Sequence, residues 1–186
     1  MAESILQGFL IKKIDYRIFD EIITILDKNG NRINCISLGS KKINSKNSRN
    51  LFIGSFNEFI IFRSSSEKRL SKLKKTTTIK IFDWKHTNDK SFILLNKCIL
   101  NSLYTSVEFF LFYKNMIDVI ESNQNEQIKI LIILKNFITL SMLYIDGDIP
   151  YLNEFLNEKF VMIPNHKNFI NNLILYLKNN VNINLA

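Results

Sequence analysis

Between Gln7 and Phe82, short runs of Ile, Leu, Phe and Thr alternate with clusters of Asn, Gly, Ser and Lys, and no run keeps a helical three-and-four spacing for long. The pattern predicts five strands, at residues 8–14, 20–26, 32–38, 51–62 and 70–82. Lys28-Asn29-Gly30-Asn31 joins the second to the third, because Asn-Gly readily takes the positive φ angles of a tight hairpin turn. A polar loop at 39–50 separates the third from the fourth, and Ser64-Ser65-Ser66-Glu67 links the fourth to the fifth. Five short antiparallel strands fit a small closed barrel, of which the OB type is the common five-stranded nucleic-acid binder; an SH3-like barrel shares the pattern.

After Phe82 the apolar spacing turns helical. Segments 91–104, 105–121 and 126–145 are long and apolar-rich, with Asp, Ser, Thr or Asn near their starts to cap them. The third is apolar nearly all round, as the central helix of a bundle should be. A shorter helix is expected after Pro150. The last, at 167–179, places Phe169, Ile170, Leu173, Ile174 and Leu177 on one core-facing stripe. The fold class expected is α+β: a five-stranded OB-type barrel over 1–82, then an all-α helical domain over 83–186.

Composition supports a folded chain, since 46% hydrophobic residues with only 5 Gly and 2 Pro in 186 are too apolar for disorder. Cys35 and Cys98 stand far apart with no CxxC companion, which fits a reducing compartment and gives no zinc module. Met1-Ala2-Glu3-Ser4-Ile5 lacks the basic-then-apolar order of a signal peptide, so no export is expected. The most apolar run, 128–145, carries Lys129 and Lys135 and falls short of the ~20 clean residues of a membrane span. A cytoplasmic location is expected.

Charge changes the picture more. The formal net charge is +8, but up to Lys80 there are 16 Lys/Arg against 7 Asp/Glu, and from Ile81 onward 9 against 10. The basicity belongs to the strand-rich half, which points to a polyanionic partner; an acidic protein or an anionic surface would leave the same mark. Lys41, Lys42, Lys46 and Arg49 lie in the acid-free loop 39–50, where they can straddle several phosphates. Its bland reading is a solvated loop. In the fifth strand, period two puts Lys72, Lys74 and Lys80 on one face with Thr76 and Thr78, and Leu73, Thr77, Ile79 and Ile81 on the other. Such lysines also guard strand edges. Phe52, Phe56, Phe59, Phe62, Tyr16 and Phe19 could stack on bases, although a small barrel needs most of them as filling.

Catalytic patterns are missing from the sequence. His86 and His166 sit in no Ser/His/Asp or Cys/His arrangement and read as surface or capping residues. Asp146-Gly147-Asp148 before Ile149-Pro150 reads as a turn rather than an ion site, and there is neither a P-loop nor a dinucleotide fingerprint.

Three stretches carry a resemblance. They are Gln7-Gly8-Phe9-Leu10-Ile11-Lys12-Lys13-Ile14-Asp15-Tyr16, Asp20-Glu21-Ile22-Ile23-Thr24-Ile25-Leu26, and Gly30 with Ser37-Leu38-Gly39-Ser40-Lys41-Lys42. In order and spacing they resemble the start of the RecO recombination-mediator family, and Gly54-Ser55-Phe56 continues the likeness. Gly147-Asp148-Ile149-Pro150-Tyr151-Leu152 looks like the Gly-x-x-Pro-x-Leu that ends the family's long central helix. The resemblance implies an OB-fold that binds single- and double-stranded DNA, then a helical domain, with no catalytic site and no cofactor. It implies a role in recombinational repair: annealing strands, binding single-strand-binding protein and a RecR-like partner, and helping RecA load. The family's basic-loop role falls on Lys41 and Lys42, and Asp15 and Tyr16 match its motif as turn-fixing residues. Where many relatives carry their first two zinc-binding cysteines this chain has Phe155 and Glu158, so no zinc is expected. The DNA-binding residues expected are Lys41, Lys42, Lys46, Arg49, Lys72 and Lys74. The rivals are an RNA-binding OB module, an adaptor for an acidic protein tail, and a metal-dependent nuclease.

Overall fold

The computed structural model describes residues 2–64, 70–102, 105–122, 125–143, 145, 149–181 and 183–185. The link expected at 64–67 lies mostly outside them, as does the Asp146-Gly147-Asp148 turn. The chain divides into two compact units, one of residues 1–84 with 105–110, the other of residues 85–104 with 111–186.

In the first unit the strands are β1 (Ala2–Asp15), β2 (Glu21–Asp27), β3 (Arg32–Ser37), β4 (Phe56–Arg63) and β5 (Ser71–Lys80). Hydrogen-bonded neighbours run β1-β2-β3-β5-β4 and return to β1, closing a barrel. β1 is longer than the pattern predicts because it serves two partners. Its first half, Ala2 to Phe9, pairs with β4, and from Gly8 to Asp15 it pairs with β2 across a bulge between Leu10 and Lys12. β4 starts at Phe56 rather than residue 51, since residues 48–50 form a turn of 3-10 helix and Leu51 leaves the surface to join the core. That core is Leu10, Ile23, Ile25, Cys35, Leu51, Phe59, Ile61 and Leu73, with Leu6 and Ile33 packed against it.

Two glycines are required by close approach. A Cβ on Gly8 would stand 2.3 Å from the Leu26 carbonyl oxygen, so the β1–β2 crossing admits only hydrogen there. Gly30 has φ +80° in the β2–β3 turn, and a Cβ on it would meet the Ser106 carbonyl. The carboxylate of Asp27 holds that turn by accepting the Asn29 and Asn31 amides at 2.9 and 2.8 Å.

The helices are α1 (Lys90–Asn101), α2 (Val107–Ser122), α3 (Glu126–Leu140), α4 (Leu152–Leu156) and α5 (His166–Asn180). Asn125 caps α3 by accepting from the Gln127 and Ile128 amides, and Asn165 caps α5 by accepting from Asn168. In the second unit α3 packs against α1, α4 and α5, the central position its all-round apolar sequence predicts. Phe169, Ile170, Leu173 and Leu177 of α5 are buried. Tyr113, fully buried, donates its hydroxyl to Asn96 Oδ1 at 2.8 Å.

Candidate nucleic-acid interface

The basic loop 39–50 is fastened at both ends. At its start, Gly39 N–H donates to the Asp20 carboxylate at 2.8 Å and Lys41 N–H to the Phe19 carbonyl at 3.0 Å, tying it to the β1–β2 turn. At its end, two asparagine side chains hold the backbone of β5. Asn47 Oδ1 accepts from Thr76 N–H at 3.1 Å while its Nδ2 donates to the Lys74 carbonyl at 3.4 Å. Asn50 Nδ2 donates to the Thr76 carbonyl at 3.1 Å, and Asn57 Nδ2 donates to the Asn50 carbonyl at 2.9 Å. These amides continue a ladder that β3 begins, because β3 pairs with β5 only at Cys35–Ser71 and Ile36–Lys72. The segment that carries Lys46 and Arg49 is thereby fastened to the β5 backbone at Lys74 and Thr76.

β5 does not keep strict alternation. Its register against β4 shifts between Ile60 and Ile61, leaving Lys74 as an extra residue, and again between Phe56 and Asn57. The first bulge reverses the phase: Leu73 and Thr76 are buried, while Lys72, Lys74, Lys75, Thr77, Ile79, Lys80 and Ile81 are exposed. The predicted grouping of Thr76 with the lysines, and of Thr77, Ile79 and Ile81 with the core, is thus corrected by a bulge that period two does not anticipate. Lys75 joins the exposed cations for the same reason.

The six expected DNA-binding residues are all exposed, in different settings. Lys41 Nζ pairs with Asp15 Oδ2 at 3.1 Å, and Lys74 Nζ with Glu3 Oε2 at 2.7 Å. Lys42 Nζ stands 5.5 Å from the Phe19 ring centre, and Lys74 Nζ 5.4 Å from that of Phe62. Lys46, Arg49, Lys72 and Lys75 pair with no carboxylate among the described residues. Other acids of this unit are engaged in structure: Asp20 and Asp27 hold backbone amides, and Glu21 pairs with Lys13 at 3.0 Å. Lys46, Arg49, Lys72 and Lys75 all face solvent.

Of the aromatic candidates, Phe59 is core and Phe56 packs on Phe9 with ring centres 5.1 Å apart. Tyr16, Phe19 and Phe52 are about half exposed. His86 Nδ1 contacts Asp89 Oδ2 at 2.7 Å, and His166 Nε2 contacts the Phe160 carbonyl at 2.7 Å, so both histidines have structural partners. Burial pushes the Cys35 thiol up to about 12 and raises that of Cys98 as well, so neither is a ready thiolate. No group of three metal-binding side chains lies among the described residues, and no helix there is long and apolar enough to cross a membrane.

No family model matches the chain. It is similar to curated proteins named DNA repair protein RecO. That of Mycoplasma mycoides subsp. mycoides is 33% identical over 106 residues, covering 57% of this chain and 42% of the relative. That of Mycoplasma capricolum subsp. capricolum is 30% identical over 138 residues, or 70% of this chain and 55% of the relative, and that of Mesoplasma florum 34% over 74, or 40% and 28%. These matches, at 30–34% identity over parts of the chain, support a member of the RecO family. It spans about half the length of one of these RecO relatives and less of the other two.

The RecO-like opening motif has a geometric meaning here: Gly8 permits the β1–β2 crossing, and Asp15 reaches Lys41 of the Gly-Ser-Lys-Lys segment. The two residues expected from the resemblance at zinc-cysteine positions have other partners here. Phe155 is fully buried between Phe160 and Phe169, with ring centres 6.0 and 5.2 Å away, and Glu158 pairs with Lys135. Apolar stacking of Phe155 on Phe160 and Phe169 holds this segment together.

Proposed function

We propose that this chain is a DNA-binding protein of recombinational repair, which holds single and double strands through phosphate contacts to an OB-type barrel. The barrel domain is taken as 1–82 and the helical domain as 83–186. What supports the reading is the fastening of loop 39–50, which carries Lys46 and Arg49, by Asn47 and Asn50 to the β5 backbone at Lys74 and Thr76. Family membership supplies the polyanion, and the closed order β1-β2-β3-β5-β4 supports the OB assignment.

Cations on a fixed loop and an adjoining strand bind a backbone without reading its sequence, and each phosphate neutralised releases counterion. A protein acting this way in the cytoplasm, at the nucleoid, anneals and hands over strands; it makes and breaks no bond. Single-strand-binding protein, a RecR-like protein and, indirectly, RecA are the partners proposed.

The test is annealing of complementary oligodeoxynucleotides, with and without single-strand-binding protein, alongside titration of deoxyribo- and ribo-oligonucleotides at several salt concentrations. Salt-dependent binding and faster annealing support the reading. Absence of binding to either, or tighter binding of RNA than of DNA, overturns it.

A further inference from the structure

The turn between β1 and β2 exposes apolar surface that the barrel does not use. Tyr16 is 47% exposed, Ile18 81% and Phe19 50%, whereas the barrel interior is filled by other residues. The turn is nevertheless firmly built. Tyr16 N–H donates to the Asp20 carbonyl at 3.1 Å and Asp20 N–H to the Arg17 carbonyl at 3.3 Å, while loop 39–50 is bonded to Phe19 and Asp20 from the other side. Each ring carries a cation: Arg17 Cζ lies 5.0 Å from the centre of Tyr16 and Lys42 Nζ 5.5 Å from that of Phe19. Of the nearby acids, Asp15 is drawn to Lys41 and Asp20 accepts the Gly39 amide.

We propose that this turn is a base-stacking platform, on which Tyr16 and Phe19 each take a nucleobase of a single strand while Arg17 and Lys42 meet the adjoining phosphates. The proposal rests on the DNA-binding reading above and adds to it a preference for unpaired bases. Flat rings stack on any base, and the accompanying cations complement the strand's charge. A duplex keeps its bases stacked on one another and offers the rings nothing, so the platform separates the two substrates. Because the turn is preformed by backbone bonds, little ordering cost opposes the contact.

The test titrates a fluorescein-labelled oligothymidylate, and a duplex of equal length, into the full chain and its Tyr16→Ala, Phe19→Ala, Phe19→Leu and Phe19→Trp variants. Each alanine variant should weaken oligothymidylate binding about fivefold or more and duplex binding less than about twofold. Phe19→Leu, apolar but not flat, should behave like the alanine variant, and Phe19→Trp should bind as the parent does. Unchanged oligothymidylate affinity in the alanine variants overturns the proposal, as does full rescue by leucine. It is also overturned if the alanine variants lose only co-sedimentation with phosphatidylserine vesicles, which would make the turn a membrane anchor. A parent chain that binds neither oligonucleotide would instead refute the DNA-binding reading itself.

Discussion

The side-chain amide of Asn47 occupies, beside Thr76, the place of a neighbouring strand: its oxygen accepts the Thr76 amide proton at 3.1 Å and its nitrogen reaches the carbonyl two residues earlier. Asn47→Ala should therefore leave a backbone amide of β5 without its partner. A loss of about 1–2 kcal/mol in urea unfolding is expected, together with weaker DNA binding as Lys46 and Arg49 lose their anchorage. A variant as stable and as tightly bound as the parent would show that the loop is held by other means.

Charge reversal separates the cations. Lys46→Glu with Arg49→Glu should reduce the slope of log affinity against log salt by roughly two units and weaken all sequences alike. Lys41→Glu with Lys42→Glu should act in the same direction, although Lys41 already neutralises Asp15 and its reversal sets two acids together. Slopes measured by fluorescence anisotropy decide the matter; a sequence-dependent loss would contradict phosphate contact.

In the second unit, burial of Asp89 pushes its carboxyl up, but hydrogen bonds and charge from His86 and Lys129 outweigh this and hold it below the usual carboxylate range. A depressed folded pKa stabilises the native state above the unfolded pKa of about 4, and that stabilisation is lost as pH falls through the lower folded value. Lys129, almost wholly buried, lies 3.2 Å from Asp89 and 3.5 Å from Glu126. Asp89→Asn should cost roughly 1–3 kcal/mol near neutrality and flatten the acid limb of the stability profile. An unchanged acid limb would remove Asp89 from that role.

At the zinc-cysteine positions, elemental analysis of the purified protein should find no stoichiometric zinc, and Phe155→Ala should destabilise by about 3–5 kcal/mol through the cavity it leaves between Phe160 and Phe169. One zinc per chain, or a Phe155→Ala protein of parental stability, would contradict the packing described.

Helices were legible because their apolar stripes and Asn caps are local. Asn125 caps α3 just before the start expected at residue 126, and Asn165 caps α5, which begins at His166, one residue ahead of the start expected at 167. The end of α3, however, falls at Leu140 rather than at residue 145. Strand existence was legible too, and the Asn29-Gly30 turn most clearly. The first half of β1 was not, since residues 2–7 show no alternation and become a strand through pairing with β4. Nor was the face of Thr76, because a bulge depends on the partner strand's register rather than on β5 itself. Of the candidate cations, loop and strand positions could be named from charge, but Lys75 required the bulge. The fastening of the loop to β5 depended on Asn47 and Asn50, which in sequence look like ordinary loop residues.

The β3–β5 pairing spans only Cys35–Ser71 and Ile36–Lys72, and beyond it the backbone of β5 at Lys74 and Thr76 is bridged by amide side chains. The cylinder is consequently weakest along one line, and that line runs under the surface proposed for nucleic acid. A strand laid across both the loop and β5 would brace the join from outside, so occupancy by ligand should slow amide hydrogen exchange at Thr76 more than in the well-laddered β1–β2 pair.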